Sequence, residues 1–160
     1  MPTKIRLPFL STYPGSVDDK GRLSIPADYR NALSPECERH IVLTFGNANF
    51  INAFPLDFFN SIWESGGSDS TEFASLSSLE RDTILLGESV YRLIDGQGRI
   101  TLPQSIIKQG NISRDVVFMG RRTHFTIWDK TAFDDHRKQL QITAGDAWQR
   151  LIDSKSKKDS

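Results

Sequence analysis

Val17-Asp18-Asp19-Lys20-Gly21-Arg22-Leu23-Ser24-Ile25-Pro26 and Ile94-Asp95-Gly96-Gln97-Gly98-Arg99-Ile100-Thr101-Leu102-Pro103 are one phrase written twice. Each copy reads apolar, Asp, two variable residues, Gly, Arg, apolar, hydroxyl, apolar, Pro. Asp18 and Asp95, Gly21 and Gly98, Arg22 and Arg99, and Pro26 and Pro103 are all 77 positions apart. A single Asp-x-x-Gly-Arg is a common polar turn; two in the same register mark a duplication. The likeness runs on into Gly46 and Gly120, Phe54 and Trp128, and Phe59 and Phe133, now 74 positions apart. A period this long exceeds the roughly 20–50 residues of solenoid repeats, so each copy is a folded half-unit. The expected architecture is a duplicated domain whose halves pack as a pseudo-dimer.

Working outward from the phrase, Ser16 to Ile25 alternates apolar and polar around a glycine turn and predicts strand, turn, strand. A further short strand is expected near Phe9 to Tyr13. Pro26 and Pro103 suit the first turn of a helix, where the missing N–H is not needed. The two helices they open end near Ser34-Pro35 and at Gly110. His40 to Phe45 and Asp115 to Met119 read as buried strands. Their hairpin partners are Phe50 to Phe54 and Phe125 to Trp128, across Gly46–Asn49 and Gly120–Thr123. Leu56 to Trp63 and Lys130 to Leu140 predict closing helices, the second capped by Asp129. Ser77-Ser78-Leu79-Glu80 matches a capping box for a helix through Leu86. The aromatics Phe45, Phe50, Phe54, Phe58, Phe59, Trp63, Phe118, Phe125, Trp128 and Phe133 follow core spacing and are read as packing.

The domain reading is therefore a first half over 5–63, a linker with a helix over 64–88 and a second half over 89–140. A C-terminal helix and a disordered charged tail follow over 141–160. The fold class is α+β, mainly β.

The chain has 160 residues, 20 Lys plus Arg against 20 Asp plus Glu, 38% hydrophobic and 25% charged residues. That is an ordinary globular composition with no bulk basicity, so any nucleic-acid affinity must come from a local patch. Cys37 is the only cysteine, which excludes an intrachain disulfide and suits a reducing compartment. No apolar run approaches the ~18 residues of a membrane span, and Leu7-Pro8-Phe9-Leu10 is too short for a signal-peptide core. The expectation is a cytoplasmic protein with no membrane partner.

The phrase has its own chemistry. Gly21 and Gly98 permit a left-handed residue in a tight turn. Asp18 and Asp95 can accept from the turn's backbone N–H groups or orient a guanidinium. Arg22 and Arg99, with planar five-donor forks, can hold a phosphate or read guanine O6 and N7 in the major groove. The plain alternative is that Asp18–Arg22 and Asp95–Arg99 are internal ion pairs closing each turn; both roles can coexist. Lys20 adds a cation that Gln97 replaces in the second copy, and Arg30 has Ile107 opposite it. Lys4 and Arg6 are candidate phosphate contacts, and Arg121-Arg122 reads as surface charge.

Catalysis finds no support. Asp134, Asp135 and His136 are consecutive on one helix and diverge, and His40 and His124 have no partner at metal-ligand spacing. No phosphate loop or nucleophile elbow occurs. No metal, organic cofactor or small-molecule substrate is expected.

Asp18-x-x-Gly21-Arg22-Leu23-Ser24-Ile25-Pro26 with Asp95-x-x-Gly98-Arg99-Ile100, the Leu85-Leu86-Gly87 turn and Phe125-x-x-Trp128-Asp129 together resemble the MraZ family. These are transcriptional regulators encoded at the head of bacterial division and cell-wall gene clusters. The resemblance covers roughly residues 5 to 140. It implies two AbrB-like, swapped-hairpin halves forming one pseudo-dimeric β-barrel with flanking helices, and assembly into ring-like homo-oligomers. It also implies nucleoid association and binding to repeated promoter sites on double-stranded DNA. The DNA contacts it points to are Arg22 and Arg99 with Lys20 and Gln97, the loops being shaped by Asp18, Gly21, Asp95 and Gly98. The rival is a non-catalytic protein-interaction ring in which the arginines join subunits.

Overall fold

The computed structural model describes residues 7–47, 49–64 and 77–158. Lys4, Arg6 and residues 65–76 of the linker lie outside them.

Eight strands carry the fold: β1 (Thr12–Ser16), β2 (Arg22–Ser24), β3 (His40–Asn47), β4 (Phe50–Pro55), β5 (Val90–Leu93), β6 (Arg99–Thr101), β7 (Asp115–Gly120) and β8 (Phe125–Asp129). Helices α1 (Ala27–Ala32), α2 (Leu56–Glu64), α3 (Ser78–Asp82), α4 (Gln104–Gln109) and α5 (Lys130–Lys158) flank them. The expected α+β architecture is present, and both hairpins, β3–β4 and β7–β8, form where the glycine turns place them.

The halves exchange strands. β1 of the first half pairs with β7 of the second, and β5 of the second pairs with β3 of the first. β4 meets β8, and β2 meets β6, across the boundary between copies. In the β2–β6 ribbon Leu23 lies opposite Ile100, its own repeat counterpart, with Arg22 opposite Thr101 and Ser24 opposite Arg99. In β4–β8, Asn52 lies opposite Thr126, again its counterpart at 74 positions. A two-fold pseudo-axis therefore passes through both pairs.

The closed barrel is not formed. The strands make a six-stranded antiparallel sheet, β1-β7-β8-β4-β3-β5, and a separate two-stranded ribbon, β2-β6. The ladder from β1 breaks at the Asp18–Arg22 turn, which satisfies its backbone internally: Asp18 N–H donates to the Arg22 carbonyl at 3.0 Å and Gly21 N–H to the Asp18 carbonyl at 2.9 Å. Only an isolated bridge, Val17 to Leu23, joins the arms. Pro14 sits in β1 on an outer edge, where its missing N–H breaks no ladder.

The main core lies between ribbon and sheet. Leu23, Ile25, Ile100 and Leu102 from the ribbon meet Ile41, Leu43, Ile51, Phe118, Phe125 and Ile127 from the sheet, all 2% exposed or less. α1 and α4 plug its two sides with Tyr29 and Ile106, repeat counterparts that are each 1% exposed. Tyr29 stacks against Phe125 at 4.9 Å and donates its hydroxyl to the Ser11 carbonyl at 2.7 Å. On the far face of the sheet Val42, Phe54 and Phe59 bury a smaller cluster under α2. Phe54, Phe59, Phe118, Phe125, Trp128 and Phe133 pack as their spacing predicts, but Phe45 is 38% exposed. It falls next to the turn of the β3–β4 hairpin, at the end away from where α2 begins. Trp63 is a side chain outside those described.

The capping box is complete: Glu80 N–H donates to Ser77 Oγ at 3.3 Å and Ser77 N–H to Glu80 Oε2 at 2.8 Å. α3 then runs into a π-type turn over Thr83–Gly87. The C-terminus departs from expectation. α5 is one helix through Lys158, not a helix to Leu140, a second short helix and a disordered tail. Trp128 and Phe133, edge to face at 5.6 Å, anchor its first turns. Further on, Gln149 donates to Asp153 at 3.0 Å, and Lys155, Lys157 and Lys158 fall in the last turn, where cations favour the helix dipole. Among the described residues no helix is long and apolar enough to cross a membrane.

Candidate nucleic-acid interface

The two phrases become two matching turns at opposite ends of the β2–β6 ribbon. In the first, Asp18 Oδ1 accepts from the Lys20 and Arg22 backbone N–H groups, both at 2.9 Å. In the second, Asp95 Oδ1 accepts from Gln97 N–H at 2.8 Å and Arg99 N–H at 3.0 Å. Gly21 and Gly98 take φ of +78° and +80°, the left-handed conformation that closes each turn onto its strand.

The second carboxylate oxygen of each Asp takes the arginine. Arg22 Nε donates to Asp18 Oδ2 at 2.7 Å, and Arg99 Nε to Asp95 Oδ2 at 3.1 Å. Binding through Nε uses one of the five guanidinium donors and leaves both Nη groups available. The ion pair leaves room for a binding role: each Asp holds its Arg side-on through Nε. The backbone N–H of Arg22 is the main influence holding the Asp18 carboxyl below its ordinary range, and that of Arg99 does the same for Asp95. Both acids therefore stay ionised under their guanidinium partners.

Strand alternation places Arg22, Ser24, Arg99 and Thr101 on the outward face of the ribbon, with Leu23 and Ile100 buried beneath. The Arg22 and Arg99 side chains are 36% and 28% exposed. Lys20 and Gln97 are exposed in their turns. All four candidate contacts and all four loop-shaping residues thus gather on one ribbon and its two turns.

Three further arginines lie beside the turns. Arg39 donates Nη2 to the Asp95 carbonyl, and Arg30 donates Nε to the Ile25 carbonyl at 3.1 Å while lying against Gly98. The Arg39 carbonyl accepts from Ile94 N–H at 2.9 Å, and the Arg114 carbonyl accepts from Val17 N–H at 2.8 Å. Ile94 and Val17 are repeat counterparts, so the Arg114 and Arg39 carbonyls hold equivalent positions, but the side-chain bond to a turn is recorded for Arg39 alone. The sequence signal for this pair is a 75-position spacing between Arg39 and Arg114, hidden by the change of offset between the strands.

Asp134 pairs with Lys130 at 2.8 Å, and His136 stacks on Trp128 at 4.8 Å. Arg122 is fixed through its backbone, which exchanges two hydrogen bonds with Phe9.

A family model described as "MraZ protein, putative antitoxin-like" matches residues 9–77 and again 84–155, once on each copy of the phrase. The chain belongs to the MraZ family. Curated relatives agree with this membership. The chain is similar to the "Transcriptional regulator MraZ" of Rickettsia akari, 34% identical, over 85% of this chain and 91% of that protein. It is likewise similar to the proteins of that name from Methylococcus capsulatus, 31% identical over 78% and 80%, and Nitrosospira multiformis, 32% identical over 72% and 78%. The MraZ name denotes a transcriptional regulator, and the chain is a regulator of that family, not an enzyme.

Proposed function

We propose that this MraZ chain regulates transcription by binding double-stranded promoter DNA sequence-specifically through the outward face of the β2–β6 ribbon. The observation that carries the reading is the side-on hold of Arg22 by Asp18 and of Arg99 by Asp95, which leaves two forks free on one face. A two-stranded ribbon fits the major groove, about 12 Å wide, and an oriented fork suits guanine O6 and N7 or a phosphate. Lys20 and Gln97 contact the same duplex from the turns. The pseudo-dimeric halves present the two motifs with approximate two-fold symmetry, which matches closely spaced, repeated elements.

A chain with zero net charge and few cations on this face binds one site weakly. Useful affinity then comes from several subunits on adjacent repeats, where effective concentration multiplies modest contacts. Trp148 and Leu151, 65% and 57% exposed on α5, offer apolar surface for such self-association. The regulator is accordingly a ring-like homo-oligomer in the cytoplasm, nucleoid-associated, acting on the promoter of its own division and cell-wall gene cluster.

The rival reading is a protein-interaction ring without DNA. Gel shift against the upstream promoter and a scrambled duplex, with light scattering of protein alone and of complex, separates the two. Preferential retardation of the promoter by an oligomer supports the regulator; an oligomer indifferent to both duplexes supports the ring.

A further inference from the structure

The two turns match in their hydrogen bonds but not in the cations around them. At the tip of the first stands Lys20; the second has Gln97 there. The second turn instead has two arginines beside it, one bound to its backbone and one lying against Gly98. Arg39 donates Nη2 to the Asp95 carbonyl across 56 residues of sequence. Arg30, on α1, donates Nε to the Ile25 carbonyl, and Ile25 N–H in turn donates to the Gly98 carbonyl at 2.8 Å. The Arg30 guanidinium lies flat against Gly98: a Cβ there would stand 2.8 Å from Nη1 and 2.9 Å from Cζ. At the repeat counterpart, Gly21, the nearest obstacle is instead the Leu102 carbonyl, and Ile107 occupies the place of Arg30, half-buried against the core.

We propose that Arg30 and Arg39, with Arg99, form a fixed phosphate-binding cluster on the second turn, so that the two turns of one chain grip the DNA backbone by different means. Among the described residues neither Arg30 nor Arg39 is paired with a carboxylate, so no salt bridge offsets either charge. A backbone carbonyl fixes each guanidinium in place while leaving most of its donors free. They flank an open cleft of about 310 Å³ whose floor includes Leu33, Cys37 and Ile94. Glu38 also lines it, and Asp95 is already held by Arg99, so the cluster carries a local excess of one positive charge. Glu38 and Arg39 are successive left-handed residues, with φ of 49° and 64°, an arrangement non-glycine residues seldom adopt and one found disproportionately at functional sites. Fixed arginines replace in the second turn what the mobile Lys20 supplies in the first.

This rests on the DNA-binding reading above, and the test separates the two. Binding of full-length protein to the upstream promoter duplex and to a scrambled duplex is followed by anisotropy across a salt series. Wild type is compared with Arg30→Ala, Arg39→Ala and Arg30→Lys. Each alanine variant is expected to lower the slope of log K against log salt by about 0.9 per bound subunit on both duplexes. Preference between duplexes stays unchanged, and Arg30→Lys restores the slope. Unchanged slopes beside a wild type that still prefers the promoter would overturn the phosphate cluster alone. So would lost preference at unchanged slope, which makes the arginines braces of the turn and not contacts. A wild type with no preference would overturn both readings. Arg30 is exposed, so its variants keep the test decisive if Arg39→Ala fails to fold.

Discussion

Leu23 lies opposite Ile100 at the centre of the β2–β6 ribbon, 0% and 1% exposed, each the repeat counterpart of the other. The outward pairs on either side, Arg22 with Thr101 and Ser24 with Arg99, are related by the same pseudo-axis. The core contact and the display of the two arginines are thus one geometric fact: the residues that bury the ribbon fix which residues it exposes.

Each Asp serves its arginine, so Asp18→Ala and Asp95→Ala should weaken promoter binding though each removes a negative charge. Bulk electrostatics predicts the opposite sign. The expected loss is about tenfold per turn, within the ~1–3 kcal/mol of an oriented base or phosphate contact. Anisotropy at fixed salt reads it, and tighter binding by either variant contradicts the side-on hold.

The acidic limb of this dependence follows from the lowered carboxyls of Asp18 and Asp95. A depressed folded pKa means the turn is fully supported above the ordinary value of 3.8 and loses support only as pH falls through the depressed one. The Arg22 and Arg99 Nε–H signals should therefore hold their shifts between pH 7 and 5. Movement within that window would mean the carboxylates are not their acceptors.

His124 sets a separate limb. Burial foremost, and then the Arg121 charge, press its pKa from 6.5 to about 4, and its ring lies tilted against Phe54 at 4.5 Å. The unfolded chain takes up a proton the folded one refuses. Stability is complete above pH 6.5 and falls toward pH 4, by up to about 3 kcal/mol. Urea titrations across that range should show the decline, and His124→Phe should flatten it.

Gly21→Ala and Gly98→Ala both force an L side chain into the left-handed region, at about 1 kcal/mol or more. Their obstacles differ, however. At Gly21 the new Cβ meets a backbone oxygen at 2.9 Å, whereas at Gly98 it meets the Arg30 side chain, which can be displaced at the loss of one hydrogen bond where a backbone carbonyl cannot. Gly21→Ala should lower the melting temperature more, and equal effects would contradict the different surroundings of the two turns.

The duplication was legible because each copy keeps its phrase in register, and the two hairpins and the turn bonds of Asp18 and Asp95 were legible because they join residues close in sequence. The exchange of β1 and β5 between halves was not, since it is decided by pairing over a hundred residues or about fifty, which local pattern does not encode. α5 was misjudged beyond Leu140 because its polar composition offers no buried stripe; short-range pairs and cations in the last turn sustain it. Arg39 escaped notice because its acceptor lies 56 positions away. The missing barrel closure reflects turns that satisfy their own backbone and so stop the ladder at Ser16.

The most direct measurement is equilibrium binding of Arg22→Ala/Arg99→Ala to the upstream promoter, with oligomer mass recorded on the same sample. The expected result is an oligomer of wild-type mass that no longer distinguishes the promoter from a scrambled duplex. Wild-type preference in the double variant would contradict it, and so would collapse to monomers, which would make the two arginines assembly residues.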